Sequence, residues 1–367
     1  MPSILPRSVT SPKKFFIGSQ LLASVGKYVK DFGDNAFIIS DEFFLEKVTQ
    51  EALPSLKENK IEAMVEKFNY ECTEAEVHRL GKIAIENKAN VIIGIGGGKT
   101  LDVSKAVAYY QHIPVILFPT IASTDAPCTA LSVLYKENGE FDKYLFLPQN
   151  PDVVIADTAI IASAPQRFFS AGVGDALATY FEARACYQAD GLNLVNQRPS
   201  RTGLGLAQLC FEMLSENIDK AMDAIRHKIT TPALEQTIEA TIYLSGVGAE
   251  AGGLAAAHAV NNGMSAVESL HRVQHGEKVV FGLLTQLVLE NALQEEIDEV
   301  IRIIKAAELP LTLEDMGMKE FIESEWRTVA KIACAEGDTM GNMPMRVTEE
   351  DVYNAMIAAN ALAHRYK

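Results

Sequence analysis

The chain has 367 residues, long enough for two ordinary domains and too long for one comfortable core. Its net charge of −15 (33 Lys and Arg against 48 Asp and Glu) argues against nucleic acid or an anionic membrane as partner, so a phosphate-bearing ligand must be held by local geometry. Apolar residues make up 48% of the chain, with no uninterrupted apolar run near the roughly 18 residues of a membrane span. The five cysteines are odd in number and lack C-x-x-C spacing, which reads as buried free thiols in a reducing compartment. With no basic-plus-apolar signal pattern at the N-terminus, the expectation is a soluble cytoplasmic protein.

The first half alternates strand and helix signals. Residues 36–40, 63–68, 91–94, 115–118 and 153–156 are short apolar runs of strand composition, and residues 74–87 and 101–111 carry helical spacing between them. This is the rhythm of a parallel, doubly wound sheet. Residues 132–135 and 144–147 flank Asn138-Gly139 and predict an inserted β-hairpin. Beyond about Pro165 the strand signal disappears, and residues 174–189, 204–227, 232–245, 278–291, 295–307 and 349–366 are all helix-spaced. The expected organisation is an α/β dinucleotide-binding domain over residues 1–162, followed by an all-α domain over 163–367.

Residues 89–108 organise the first domain. The run Val91–Ile93 is followed by Gly94, Gly96, Gly97 and Gly98, and helical spacing resumes from Thr100. A strand, a glycine turn and a helix start make an anion site, because free N–H groups and the helix dipole point at the turn. The motif matches neither the P-loop (Ile93 stands where its first glycine belongs) nor the G-x-G-x-x-G fingerprint, which meets Lys99. A tight turn without ligand is the alternative; four glycines exceed what a turn needs.

Other candidates are weaker individually. Asp41 directly follows the 36–40 strand, where a carboxylate can bond ribose hydroxyls and favour NAD over NADP, or can simply cap a helix. The loop from Pro119 offers Thr120, Ser123, Thr124, Asp125 and Thr129 where open sheets bind ligands; an ordinary polar loop is the other reading. In the second half Asp175 opens the predicted 174–189 helix, as a ligand or as its N-cap. His258 ends a run of small residues, and His275 begins another helix. The Asn261-Asn262-Gly263 breaker is expected to put these histidines on different elements. Two imidazoles and a carboxylate suit a divalent metal with open positions, with His271 a rival ligand or a solvated side chain.

Together the motifs Gly-Gly-Gly-Lys-Thr-Leu-Asp (96–102), Thr-Ile-Ala-Ser-Thr-Asp-Ala-Pro (120–127), Gly-Val-Gly-Asp-Ala-Leu-Ala-Thr (172–179), Gly-Leu-Ala-Ala-Ala-His-Ala-Val (253–260) and His-Gly-Glu-Lys-Val (275–279) resemble the glycerol dehydrogenase family. That family lies within the superfamily of iron-containing alcohol dehydrogenases and dehydroquinate synthase. Tyr-Leu-Ser-Gly-Val-Gly (243–248) and Cys-Ala-Glu-Gly (334–337) extend the likeness over nearly the whole chain. The resemblance implies one zinc ion on Asp175, His258 and His275, with these residues and Asp125 forming the catalytic and substrate-binding set. It implies NAD contacts from Asp41, Gly98, Lys99, Thr120, Ser123, Thr129, Leu131 and Tyr135, alongside Gly96 and Gly97 of the turn, and a homo-oligomer, commonly an octamer.

The implied reaction is oxidation of glycerol and related vicinal diols at the secondary hydroxyl, giving dihydroxyacetone and NADH. Zinc would lower the pKa of the alcohol, as it lowers that of bound water from about 15.7 to about 7. The general base stays open between Asp125 and a water chain. Thr179 stands where iron-type relatives carry a further histidine, and dehydroquinate synthase would be expected to use a glutamate in place of Asp175. Asn261 replaces a histidine common in close relatives, and the polar run 196–202 departs from their glycine-containing segment. The rivals are a metal-dependent lyase using NAD transiently, another alcohol dehydrogenase of the superfamily, and a nucleotide-binding regulatory module.

Overall fold

The computed structural model describes residues 5–367 and shows an α/β layer followed by a helical half. The strands longer than two residues are β1 (Lys14–Gly18), β2 (Asn35–Ser40), β3 (Glu62–Lys67), β4 (Val91–Gly96), β5 (Val115–Pro119), β6 (Leu131–Tyr135), β7 (Phe141–Phe146) and β8 (Val153–Asp157). Six of them form one parallel sheet in the order β3-β2-β4-β5-β8-β1. Helices cover both faces, so β4 and β8 are buried along their whole length and read as continuous apolar runs. The two-residue period still sorts the side chains: Phe37, Ile39 and Ile92 face one core, while Ile38, Val91 and Ile93 face the other with Val25, Val29 and Leu56.

Strand order reverses between β2 and β4, the switch point at which such sheets open a ligand crevice. Ile39 pairs with Gly94 and Gly96 with Pro119, bringing the C-terminal ends of β2, β4 and β5 side by side. The sequence does not reveal edge strand β1, whose place depends on pairing with β8 from more than a hundred residues away. The hairpin forms as expected from β6 and β7, with Gly139 at φ 83° in its turn.

The helices used below are α1 (Glu74–Glu86), α2 (Gly98–Gln111), α3 (Gln166–Ala189), α4 (Arg201–His227), α5 (Pro232–Ile238), α6 (Ser245–Gly252), α7 (Ala256–Met264), α8 (His275–Leu289), α9 (Gln294–Ala306), α10 (Glu323–Ala333) and α11 (Glu349–His364). No described helix is long and apolar enough to cross a membrane.

Two local expectations are corrected. Asp175 does not open a helix: α3 begins at Gln166, and Asp175 lies buried in its third turn. Asn261-Asn262-Gly263 does not break the chain but lies inside α7. The reason is packing, since a Cβ on Gly263 would collide with the Val329 carbonyl oxygen of α10. The unusual 196–202 run has a structural use: Arg198 and Pro199 pair with Arg7 and Ser8, and Ser200 caps α4 through the Gly203 N–H.

Candidate active site

Three helices of the second half converge on one point. Asp175 comes from the middle of α3, His258 from the first turn of α7, and His275 from the first residue of α8. The close crossing of α3 and α8 depends on Gly276, because a Cβ there would strike the Ala171 carbonyl oxygen. Asp175 Oδ1 lies 3.4 Å from His258 Nε2 and 3.1 Å from His275 Nε2, and one donor atom from each residue falls within 4.8 Å of the others. That oxygen is buried and makes no oriented hydrogen bond. Zinc ligands on bonds of about 2.0–2.1 Å at tetrahedral angles stand roughly 3.3–3.4 Å apart, so the spacing and chemistry of this donor set fit a divalent metal.

A side chain that the sequence reading missed orients His258. Glu182 is fully buried; its Oε2 meets His258 Nδ1 at 2.5 Å, and its Oε1 accepts the N–H groups of Ala255 and His258 at 2.8 Å each. Backing one imidazole nitrogen with a carboxylate leaves the other directed at the metal position. The signal was present: Glu182 follows Asp175 by seven residues, two turns along one face of α3. Burial alone would depress the ionisation of His258, but Glu182 and Asp175 hold its pKa well above the ordinary histidine value. Burial likewise pushes Asp175 upward, yet His275 and His258 carry it below the usual carboxylate range. His271 lies outside the cluster, exposed, with Nε2 at 3.0 Å from the Ser265 carbonyl.

Asp125 reaches the same point from the loop after β5. Its N–H faces Asp175 Oδ2 at 3.4 Å, and its Oδ2 accepts from Ser245 Oγ at 2.8 Å. Burial, then the neighbouring Asp175, push its carboxyl up to about 7. Thr179 sits 3.0 Å from Ser245 Oγ and thus belongs to the support of Asp125. Asn261, one turn beyond His258, is buried with its Oδ1 unpartnered.

The candidate cofactor residues form two arcs. Asp41, at the end of β2, faces the glycine turn: a Cβ on Gly96 would sit 2.7 Å from Asp41 Oδ2. Burial raises its pKa, and the amides of Gly97, Phe44 and Phe43 pull it back down. The next short helix begins beyond Phe44, so Asp41 is not its cap. Thr120 N–H bonds the Gly96 carbonyl at 3.0 Å and joins the β5 loop to the turn; Ser123 lies half-buried further along that loop. Helix α2 starts at Gly98 with no side-chain cap and no acid in its first turn, leaving its N-terminal N–H groups to a ligand.

The second arc holds Thr129, Leu131 and Tyr135. Lys105, fully buried and unremarked in the sequence, donates to the carbonyls of Ala126 (2.8 Å) and Leu131 and pairs with Asp102 at 3.0 Å. Thr129 Oγ1 bonds the Ala126 carbonyl at 3.2 Å. Lys99 closes the gap between the arcs, with its Nζ 4.8 Å above the Tyr135 ring and 2.7 Å from Glu71.

Known proteins similar to this chain share its fold over nearly its whole length. Residues 12–158 match the family model described as iron-containing alcohol dehydrogenase. The chain is 48% identical over 362 residues to a glycerol dehydrogenase of Pseudomonas putida, covering 99% of each, and 46% identical to one of Escherichia coli O6:H1 at the same coverage. The solved structure of the glycerol dehydrogenase from Schizosaccharomyces pombe superposes with a TM-score of 0.95 at 32% identity, covering 99% of this chain and 92% of that one.

Proposed function

The chain belongs to the glycerol dehydrogenase family of the iron-containing alcohol dehydrogenases and is an oxidoreductase, and from that premise we propose that it oxidises glycerol and related vicinal diols at the secondary hydroxyl, giving dihydroxyacetone with reduction of NAD. The observation that carries the reading is the convergence of Asp175, His258, His275 and Asp125 beside the loop of the candidate cofactor residues. Asp175, His258 and His275 would hold one zinc ion. Thr179, in contact with Ser245, adds no fourth histidine to the set.

When bound, zinc supplies Lewis acidity that lowers the pKa of an alcohol, and NAD supplies the hydride acceptor. The chain's own residues do the rest. The turn at Gly96–Gly98 and the open start of α2 receive the pyrophosphate, and Asp41 accepts the ribose hydroxyls while disfavouring a 2′-phosphate. Glu182 holds the His258 ring in position. Asp125 presents a half-buried carboxyl, raised by desolvation and the neighbouring Asp175, as a group that can take up or give a proton beside a substrate hydroxyl. Ser245 fixes the carboxyl's orientation.

The test is the absorbance of NADH in a mixture of metal-replete protein, NAD and glycerol. Steady growth of the band is expected, with loss on chelation and return on adding zinc. A flat trace would sink the reading and leave a lyase or a non-catalytic nucleotide-binding protein.

A further inference from the structure

The segment Tyr243–Gly248 carries part of the family likeness, yet the site described above uses only one of its residues. It leads into α6, a helix of the second half, and two polar side chains of α6 cross to the loop between β5 and β6. Ser245 Oγ donates to Asp125 Oδ2 at 2.8 Å. Five residues on, Glu250 is only 2% exposed. It accepts the backbone N–H of Ala130 at 2.6 Å, Asn150 Nδ2 at 2.6 Å and the hydroxyl of Thr10. These three neutral donors come from three separate segments of the first half.

Between the two attachments, Gly246 lets the loop lie directly on the helix. A Cβ there would sit 2.9 Å from both the Asp125 carbonyl oxygen and Cys128 Cβ. The loop is therefore gripped at residues 125 and 130 from the other half of the molecule. A carboxylate buried among neutral donors is costly to desolvate, and its oriented acceptors give the attachment direction.

We propose that α6 positions this loop, with Glu250 setting its cofactor part through Ala130, between Thr129 and Leu131, and Ser245 setting its substrate part through Asp125. The inference rests on the reading that NAD and glycerol bind here. Both are positioning residues, since each acts through another group.

The two attachments are separable, and that separation is the test. Glu250→Gln turns one acceptor into a donor facing Ala130 N–H or Asn150 Nδ2, so the Kd for NAD should rise about tenfold while the KM for glycerol stays within about twofold. Ser245→Ala should lower kcat/KM for glycerol about tenfold and leave the NAD Kd within about twofold, with Ser245→Thr recovering most of the loss. NAD binding is read by calorimetric titration of the metal-replete chain, and thermal unfolding checks each variant. If Glu250→Gln does not fold, Glu250→Asp, which keeps the charge and draws the carboxylate back from Ala130, carries the same test. Equal changes in both constants, or none, in a chain that otherwise binds NAD and turns over glycerol would overturn the positioning role. A wild-type chain that binds no NAD overturns the functional reading itself, and the positioning role with it.

Discussion

The cofactor side and the metal side of this site are built in opposite ways. The candidate cofactor side is largely backbone: a glycine turn, an uncapped helix start and carbonyls tied by Lys105, with the Asp41 carboxylate facing the turn. The candidate metal side is almost all side chain: three potential ligands from three helices, with a buried glutamate behind one of them. Backbone sites need a continuous stretch of sequence, whereas side-chain sites can collect residues from anywhere the fold brings together. The first kind therefore tolerates single substitutions better, and the second concentrates its function in a few atoms.

The largest effects should follow from breaking the metal side. His258→Ala or His275→Ala should abolish metal binding and reduce turnover on the order of a thousandfold or more, since the ion's Lewis acidity is worth several kcal/mol. His271→Ala should keep one ion per chain, which metal analysis of the three purified variants decides. Equal loss at His271 would mean that the ligand set is wrong. Glu182→Gln should weaken metal affinity about 10- to 100-fold while the ligands themselves remain. Competition with a chelator measures it, and an unchanged affinity would reduce Glu182 to a core residue.

Substitution on the cofactor side should do less. Asp41→Gly removes the carboxylate facing the turn and should narrow the NAD over NADP preference about tenfold, the factor that about 1.4 kcal/mol gives. The ratio of kcat/KM for the two cofactors reads it. An unchanged ratio would leave Asp41 a structural carboxylate of the turn.

The same contrast explains what the sequence made legible. Strands β4, β5 and β8 were visible because each is a short β-branched run, and β4 meets its glycine turn within the same stretch. Edge strand β1 was not, because its pairing partner is distant in sequence. Glycines misled the reading in the second half. Gly174 and Gly263 sit where helices touch and Gly172 where α3 meets the loop at Ala122, so α3 begins earlier than the expected 174 and α7 runs on through Gly263. Asp175, His258 and His275 could be named as candidate ligands from their residue types, but their convergence needed α3, α7 and α8 packed together. Glu182, Lys105 and Glu250 look like ordinary helix charges until their burial is known.

The two sides meet at Asp125, whose backbone N–H faces Asp175 of the candidate metal cluster while its loop carries the candidate cofactor residues. The proposed diol oxidation requires that both hydroxyls of a vicinal diol be held there, since a site built to satisfy substrate hydroxyls rejects analogues that lack them. The most direct measurement compares kcat/KM for glycerol and 1,2-propanediol with that for 1-propanol and 1,3-propanediol, in the wild-type chain and in Asp125→Asn. The vicinal diols should win by at least about tenfold, and Asp125→Asn should shrink the gap more than it weakens NAD binding. Comparable rates on 1-propanol and 1,2-propanediol would contradict it and place the chain with the simple alcohol dehydrogenases of the superfamily.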